Sequence, residues 1–428
     1  MQDIPFLLVS DEKGNIFEDT SLHVIGRESN KIKLLSPDDF IPLPKGSDLF
    51  FLPKRIPLGF NYKTKQIEKS LKGYAVAAFV APAHTQTFLS AYVNEQNAPP
   101  LPLFAYTAVG WLNGKFYTTA LRIDKDIRQD VDQFNQSKVI ANTKKFQKRY
   151  PKNRLVKHLI HCATVYFCPA ARNYFLNRWE APLPTSPTCN SRCIGCISYQ
   201  PKKSGICSTQ NRITFIPTPE EIAEIAVDHL ETAPNPVVSF GQGCEGEPLM
   251  VADVIAEAIK LIRKKTSKGI INLNTNGSKP DKILKLIKNG LDSSRISINS
   301  FRPDKYKKYY SPVNYSFDDV LISIQLLRQH NKWVSINYFV FPGETNDPEE
   351  IDMLFKAIQT LKFNMIQWRN FNIDPDWIAE PLNDTPKMSN FIGIKELIAK
   401  IKNHYPWIYH GYFNPGKEIV EKYKDLVP

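Results

Sequence analysis

The sequence PTCNSRCIGC, residues 187–196, places Cys189, Cys193 and Cys196 at the spacing C-x3-C-x2-C. Three thiolates on one short loop can ligate three irons of a four-iron, four-sulfur cube, which leaves the fourth iron open to a small molecule. A zinc site would need a further Cys or His to complete a tetrahedron, and none lies within ten residues on either side. We therefore expect an iron–sulfur centre with one open coordination site.

From about residue 181 the chain alternates between short apolar runs and amphipathic segments. This alternation predicts parallel strands joined by right-handed helical crossovers. Six such units are fewer than the eight of a closed TIM barrel. The candidate strands are 181–187, 236–243, 269–277, 294–300, 333–341 and 364–373, and the candidate helices are 218–233, 251–265, 281–290, 316–331, 347–362 and 390–405.

Polar and glycine-rich motifs follow the candidate strands, at the edge where parallel α/β sheets bind ligands. The motif Gly-Glu-Pro follows the second strand, Asn-Thr-Asn-Gly ends the third, and Phe-Pro-Gly-Glu follows the fifth. Two polar residues of the fourth strand share one face by the period-two alternation of a strand. The candidate binding residues are Gly246, Glu247, Asn274, Thr275, Asn276, Ser297, Asn299 and Gly343.

In the order and type of these motifs, residues 181–375 resemble the radical S-adenosylmethionine (SAM) superfamily. The resemblance implies a partial (β/α)6 TIM barrel and a [4Fe-4S] cluster on Cys189, Cys193 and Cys196, with SAM on the open iron. One electron cleaves SAM to methionine and a 5′-deoxyadenosyl radical, which abstracts hydrogen from a substrate. The resemblance also implies an electron donor such as flavodoxin or ferredoxin.

The resemblance assigns the strand-end residues to SAM. Gly246 and Glu247 are expected beside the methionine, and Asn274, Thr275 and Asn276 suit the ribose hydroxyls or the carboxylate. Ser297, Asn299 and Gly343 complete the set of expected contacts, the last of them near the adenine.

One position departs from the family pattern. The residue before the third cysteine is usually aromatic and packs near the adenine, and here it is Gly195. We expect Ile194 or Tyr199 to provide that packing.

Four further cysteines, Cys162, Cys168, Cys207 and Cys244, could ligate an auxiliary cluster, but their spacing is not a ferredoxin pattern. Inert thiols are the favoured interpretation. Cys244 is kept as a candidate catalytic residue because it adjoins the Gly-Glu-Pro motif.

Outside the barrel, residues 1–125 are predicted to form a mostly-β domain, because turn residues separate short runs rich in β-branched and aromatic residues. Residues 126–180 are predicted to form a basic helical connector, with helices over 127–150 and 154–168 that end before Pro151 and Pro169. Residues 376–428 are predicted to form a C-terminal helical extension.

The net charge of +12 is concentrated in residues 133–219, which contain fourteen Lys and Arg and a single acid, Glu180. So concentrated a field favours an anionic partner, and RNA is the leading candidate substrate. A small anionic metabolite or a peptide is the alternative, as is a non-catalytic regulator that binds SAM or the cluster. No signal peptide or membrane span is predicted, and the cysteine usage favours a reducing cytoplasm.

Overall fold

The computed structural model describes residues 3–104, 106–128, 130–382, 391–423 and 426–427. The first fifteen strands are β1 Phe6–Ser10, β2 Ile16–Val24, β3 Gly26–Glu28, β4 Lys31–Lys33, β5 Ile41–Pro42, β6 Asp48–Leu52, β7 Arg55–Asn61, β8 Gln66–Lys69, β9 Tyr74–Phe79, β10 His84–Gln86, β11 Leu89–Ser90, β12 Tyr92–Asn94, β13 Val109–Leu112, β14 Lys115–Thr118 and β15 Ala120–Arg122.

The remaining strands are β16 Glu180–Pro182, β17 Val237–Phe240, β18 Ile270–Thr275, β19 Ser293–Ile298, β20 Trp333–Val340, β21 Met365–Asn370 and β22 Tyr409–Gly411. The helices are α1 Gln136–Arg149, α2 Arg154–Thr164, α3 Pro169–Phe175, α4 Pro219–Thr232, α5 Ala252–Lys265, α6 Pro280–Asn289, α7 Pro303–Tyr310, α8 Phe317–Gln329, α9 Pro348–Leu361, α10 Pro375–Leu382, α11 Ile394–His404 and α12 Lys417–Tyr423.

Strands β16 to β22 form one parallel sheet in chain order. Helices alternate with these strands, and several begin where the sequence predicts, for example α4, where Thr218 and Glu221 form a reciprocal capping box. The sheet curls into a partial barrel. The barrel is open, because no pairing among the described residues joins its first strand, β16, to its last, β22. The predicted fold class is confirmed.

The sheet has one strand more than the six predicted. Strand β22 pairs in parallel with β21, with Met365 opposite Tyr409. It lies within the segment expected to be a helical extension, where most of α10, α11 and α12 are the helical parts among the described residues. Three residues, Tyr-His-Gly, are too few to show a strand periodicity. The first residue of the helix predicted over 390–405 lies outside the described residues.

The N-terminal residues form antiparallel sheets, the largest with ten strands. They dock on the carboxyl ends of β20 and β21. The Thr85 hydroxyl donates to the Trp368 carbonyl at 2.9 Å, and the Gln86 side chain donates to the Val340 carbonyl at 3.0 Å. The buried ion pair of Arg55 with Asp374, at 2.9 Å, joins the two regions.

The connector contains three helices instead of two. Helix α1 begins at Gln136, later than predicted, because the Asn135 side chain accepts from the Lys138 N–H and caps it. Helix α2 ends at Thr164, and Phe167 adopts a positive φ of 51° before α3 starts at Pro169. A left-handed residue at this point ends the predicted helix early. In the described part of the chain no helix is long and apolar enough to cross a membrane.

Candidate active site

The three cysteines lie on the loop that follows β16, here called the cysteine loop (residues 183–200). The loop is held from two sides. The Asn276 amide donates to the Asn190 side chain at 2.9 Å and to the Ser191 hydroxyl at 3.0 Å. The Arg192 N–H donates to the Tyr310 carbonyl at 2.8 Å. The loop conformation is therefore fixed by the residue that follows strand β18 and by helix α7.

Burial and neighbouring negative charge favour the neutral form of two of the three thiols. Burial and the Glu247 carboxylate raise the pKa of Cys189 to about 11. Burial and the other two cysteines raise the pKa of Cys193. Thiolates at this site therefore need a cationic partner. Arg212 provides one positive charge, with Nη2 at 3.7 Å from Cys196 Sγ. Three half-buried thiols on one short loop fit an iron–sulfur cluster as the further partner.

The loop after β17, here called the GEP turn (residues 241–248), packs directly on the cysteine loop. The Gly246 N–H donates to the Ser186 carbonyl at 2.6 Å, and the Glu247 N–H donates to the Thr188 carbonyl at 2.8 Å. A Cβ on Gly246 would lie 2.0 Å from the Thr188 oxygen. Glycine is thus required here by the close approach of two backbones.

Two glutamates of the GEP turn are buried and are bound by protein donors. Glu245 accepts from the Thr185 and Ser186 N–H groups at 2.8 and 2.9 Å, which ties the turn to the start of the cysteine loop. Glu247 accepts from the Leu249 N–H at 3.0 Å, from the Asn276 N–H at 2.8 Å and from the Thr275 hydroxyl. Burial raises the pKa of Glu247 to about 7. These bonds make Glu247 a connection between the GEP turn and β18.

The predicted asparagines also have protein partners. Asn274 donates to the Gly241 carbonyl at 3.0 Å and accepts from Asn272 at 2.8 Å. Asn276 holds the cysteine loop as described, and its side-chain oxygen accepts from the Ser278 N–H at 3.0 Å. Of the two, Asn276 contacts the cysteine loop, and contact of either residue with SAM stays a prediction.

The fourth strand carries polar groups that have space for a ligand. Ser297 and Asn299 are half-buried at the carboxyl end of β19. The Asn299 side-chain oxygen, like that of Asn337 on β20, is buried and has no hydrogen-bond partner among the described residues. Buried oxygens of this kind usually accept a hydrogen bond from water or a ligand.

Gly343 faces the N-terminal domain. Its φ is +96°, and a Cβ would lie 2.4 Å from the Ser29 nitrogen. The Ser29 N–H also donates to the Pro342 carbonyl at 2.8 Å. The segment after β20 is therefore a docking point for the β domain, and a contact of Gly343 with adenine stays a prediction.

The position of the missing aromatic residue is occupied from elsewhere. A Cβ on Gly195 would lie 2.3 Å from the Ile373 side chain and 2.9 Å from the Tyr309 hydroxyl. Tyr199, proposed from the sequence, is 58% exposed and packs against Arg212. Sequence reasoning missed Tyr309, although tyrosines at 306, 309 and 310 have the spacing of one helix face.

Two arginines inside the barrel were also missed. Arg295 on β19 is half-buried, and its Nε has no partner among the described residues. Burial and the charge of Arg369 on β21 lower the pKa of Arg295 to about 9. Arg295 shares the strand face of Ser297 and Asn299, so period-two alternation could have found it.

The remaining cysteines are separated. All seven are free thiols in this structure. Cys207 is exposed, whereas Cys162 and Cys244 are buried beside His158. Cys244 thus faces helix α2, and its role as a catalytic residue stays a prediction.

Comparisons with known proteins agree with this arrangement. Residues 183–355 match the model of the Radical SAM superfamily. Two similar relatives are GTP 3',8-cyclases. That of Lactiplantibacillus plantarum is 29% identical over 176 residues, 40% of this chain and 48% of the relative. That of Limosilactobacillus fermentum is 27% identical over 174 residues, 39% and 46% of the two chains. The chain therefore spans about half the length of these curated relatives.

Solved structures with similarity include methylornithine synthase, with a TM-score of 0.38, 16% identity and coverage of 64% of this chain and 74% of that one. Streptococcus suis SuiB bound to S-adenosylmethionine has a TM-score of 0.37 and 13% identity, with coverage of 76% and 73%. The chain therefore contains a Radical SAM superfamily region, residues 183–355, which includes the cysteine loop and strands β17 to β20 of the parallel sheet.

Proposed function

We propose that the chain is a radical SAM enzyme that acts on a small anionic substrate bound inside the barrel. When bound, a [4Fe-4S] cluster on Cys189, Cys193 and Cys196 would supply the electron that cleaves SAM to methionine and a 5′-deoxyadenosyl radical. A flavodoxin or ferredoxin is the proposed source of that electron.

The contribution of the chain is to hold the reacting groups and exclude water. Asn276 and the backbone of α7 fix the cysteine loop, and Gly246 brings the GEP turn against it. Arg212 places positive charge beside Cys196, where it lowers the cost of accumulating thiolate and sulfide charge. The unpartnered oxygens of Asn299 and Asn337 offer acceptors to a bound ligand.

The observation that carries the substrate class is the pair Arg295 and Arg369. Burial and then the like charge of Arg369 lower the pKa of Arg295 to about 9, so the two guanidinium charges oppose one another. The charge of Glu180 favours the protonated form of Arg295. The Glu180 carboxylate also accepts hydrogen bonds from the Ser239 hydroxyl at 2.6 Å and the Asn414 amide at 2.8 Å, so it is bound by groups other than the two arginines. A phosphate or carboxylate bound between the arginines would relieve the repulsion and pair with their donors.

The relatives add support, because GTP 3',8-cyclases are named for a nucleoside triphosphate, which is an anion. The match covers less than half of either chain, so the substrate of this protein is our proposal.

The test measures 5′-deoxyadenosine formed by the anaerobically reconstituted, reduced protein with GTP, other nucleotides, sugar phosphates and carboxylates. An active anion should raise the rate above the slow substrate-free reaction. Arg295→Gln and Arg369→Gln should each raise the KM for that anion by about tenfold or more, because a charge-assisted hydrogen bond contributes roughly 1.5–3 kcal/mol. Lys264→Gln, on the exposed side of α5, is the control for loss of one charge.

Two results would contradict the proposal. Cysteine-to-alanine replacement at positions 189, 193 and 196 together should abolish iron binding and deoxyadenosine formation, and retention of either rejects the cluster assignment. If the cluster and SAM cleavage are intact but no anion stimulates the reaction, the enzyme class stands and the substrate class falls.

RNA is a second candidate, favoured by the exposed lysines of α1. Two basic residues of the connector are already neutralised, since Arg149 pairs with Asp228 at 2.6 Å and Arg154 pairs with Glu221 at 2.7 Å. Asp228 lies in the last turns of α4, near the C-terminal end of the helix. This end leads into the start of β17, at the edge of the sheet opposite the one that carries the cysteine loop. This position weakens the case for a continuous path from α1 to the site.

Filter binding of tRNA and rRNA at several salt concentrations tests the RNA candidate. Binding through phosphates should weaken steeply with salt. Reversal of three exposed α1 charges, at Lys144, Lys145 and Lys148, should flatten that slope without altering cluster content. Binding no stronger than that of an unrelated basic protein eliminates RNA.

A further inference from the structure

A second group of metal-ligand side chains lies outside the cysteine loop. Helix α2 carries His158 and Cys162 four residues apart, so both side chains occupy one face. Cys244 reaches the same point from the GEP turn. His158 Nε2 lies 3.3 Å from Cys244 Sγ and 3.5 Å from Cys162 Sγ. The three ligand atoms lie within 4.8 Å of one another.

These separations match one tetrahedral ion. With Zn–S bonds of about 2.3 Å and Zn–N bonds of about 2.0–2.1 Å, tetrahedral geometry places the ligand atoms about 3.5–3.8 Å apart. A four-iron cube occupies much more space between its cysteines than one ion and would hold them farther apart. Two thiols and one imidazole are ligands that zinc favours.

A fourth coordination position is available beside these ligands. Cys162 and Cys244 line a cavity of about 220 Å³, which is large enough for several water molecules. Cys168 also lies in its wall but does not belong to the close group of ligand atoms. Gly243 and Ile197, from the GEP turn and the cysteine loop, also line the cavity.

We propose that His158, Cys162 and Cys244 bind one Zn²⁺ ion, with a fourth position open to this cavity. Zinc replaces the two thiol protons and bonds to the neutral imidazole. The ion links helix α2 of the connector to the residue that precedes Glu245. It therefore ties the GEP turn to helix α2. The site is separate from the cluster and does not depend on the proposed substrate.

Metal analysis of full-length protein, purified anaerobically with zinc in the medium, tests the proposal. We expect about one zinc per chain in the wild type, since one site holds one ion. The same content is expected in the variant that lacks Cys189, Cys193 and Cys196, which loses its iron. Cys162→Ser and Cys244→Ser should lose at least about nine-tenths of the zinc, because each removes one of the three protein ligands. Cys207→Ser, at an exposed thiol, is the matched control.

Cobalt provides a measurement that does not depend on how the serine variants fold. The variant without the three cluster cysteines should bind one Co²⁺, with sulfur-to-cobalt charge-transfer bands and the visible bands of a tetrahedral ion. Cys168→Ser should keep these bands. The proposal is overturned if wild-type protein contains no zinc and shows no cobalt bands. It is also overturned if the variant without the three cluster cysteines retains four irons, or if mass spectrometry finds a Cys162–Cys244 disulfide. Loss of zinc in Cys168→Ser would overturn the open fourth position.

Discussion

Replacement of Gly246 by alanine tests whether the contact between the GEP turn and the cysteine loop controls the site. The new Cβ would lie 2.0 Å from the Thr188 oxygen and 3.1 Å from the Cys189 nitrogen. Both are backbone atoms, so the two segments must separate by about 1.4 Å to reach van der Waals contact. That separation breaks the 2.6 Å bond from Gly246 and the 2.8 Å bond from Glu247.

The expected loss follows from these contacts. Each backbone hydrogen bond contributes about 1 kcal/mol net, and overpacking costs about 1–3 kcal/mol. We expect the free energy of unfolding to fall by about 3 kcal/mol. When about half of this free energy, roughly 1.5 kcal/mol, is lost from the SAM-bound state alone, the Kd for SAM rises about tenfold. Anaerobic calorimetry of SAM binding and thermal unfolding measure the two quantities.

Gly243→Ala is the matched control in the same turn. Its Cβ would meet the end of the Gln210 side chain at 2.5 Å and of Ile197 at 2.8 Å, both of which can move. We expect this variant to keep SAM affinity within about threefold of the wild type. Wild-type stability and wild-type SAM affinity in Gly246→Ala would refute the reasoning.

Three further predictions concern single side chains. Because burial raises the pKa of Glu247 from 4.5 to about 7, the proton held by the folded chain stabilises it at low pH, and about 2 kcal/mol is lost as pH rises from 5 to 7. Glu247→Gln should flatten this part of the melting-temperature profile, and an unchanged slope contradicts it. Arg55→Met should lower the free energy of unfolding by about 3–5 kcal/mol, since it leaves Asp374 buried without its cation. Denaturant titration measures this loss, and the double variant Arg55→Met/Asp374→Asn should recover part of it. Gly195→Ala should weaken SAM binding by about 1–3 kcal/mol, because its Cβ displaces the Tyr309 side chain; equilibrium dialysis with unchanged affinity would show that the site tolerates this movement.

The sequence predicts much of the barrel because its signals are local. Thr218 and Glu221 begin α4 as a capping box, and the strands from β17 to β21 are apolar runs long enough to recognise. Strand β22 is not recognisable, because a three-residue edge strand is defined by its pairing with β21 and carries no periodicity of its own. The start of α1 depends on which of several polar residues caps it, and Asn135 does so here.

The site was predictable in its loops but not in its contacts. Chain order places the GEP turn and β18 at one edge of the sheet, and the structure places them there. The sequence could not show that Glu247 is bound by the Thr275 hydroxyl and the Asn276 N–H, because both donors lie at the end of another strand, far along the chain. The meeting of Cys162 with Cys244 likewise joins positions far apart in the chain.

Docking of the β domain on β20 and β21 has a consequence for the proposed reaction, because it covers part of the barrel edge near which the proposed radical would form. A primary carbon radical takes hydrogen from almost any C–H bond it meets, including buffer components and the enzyme's own side chains. With Gly343 closed against Ser29 and Val340 bonded to Gln86, the β domain covers part of the rim that a bare barrel would expose. Loss of this cover should therefore appear as wasted SAM and self-damage before it appears as loss of fold.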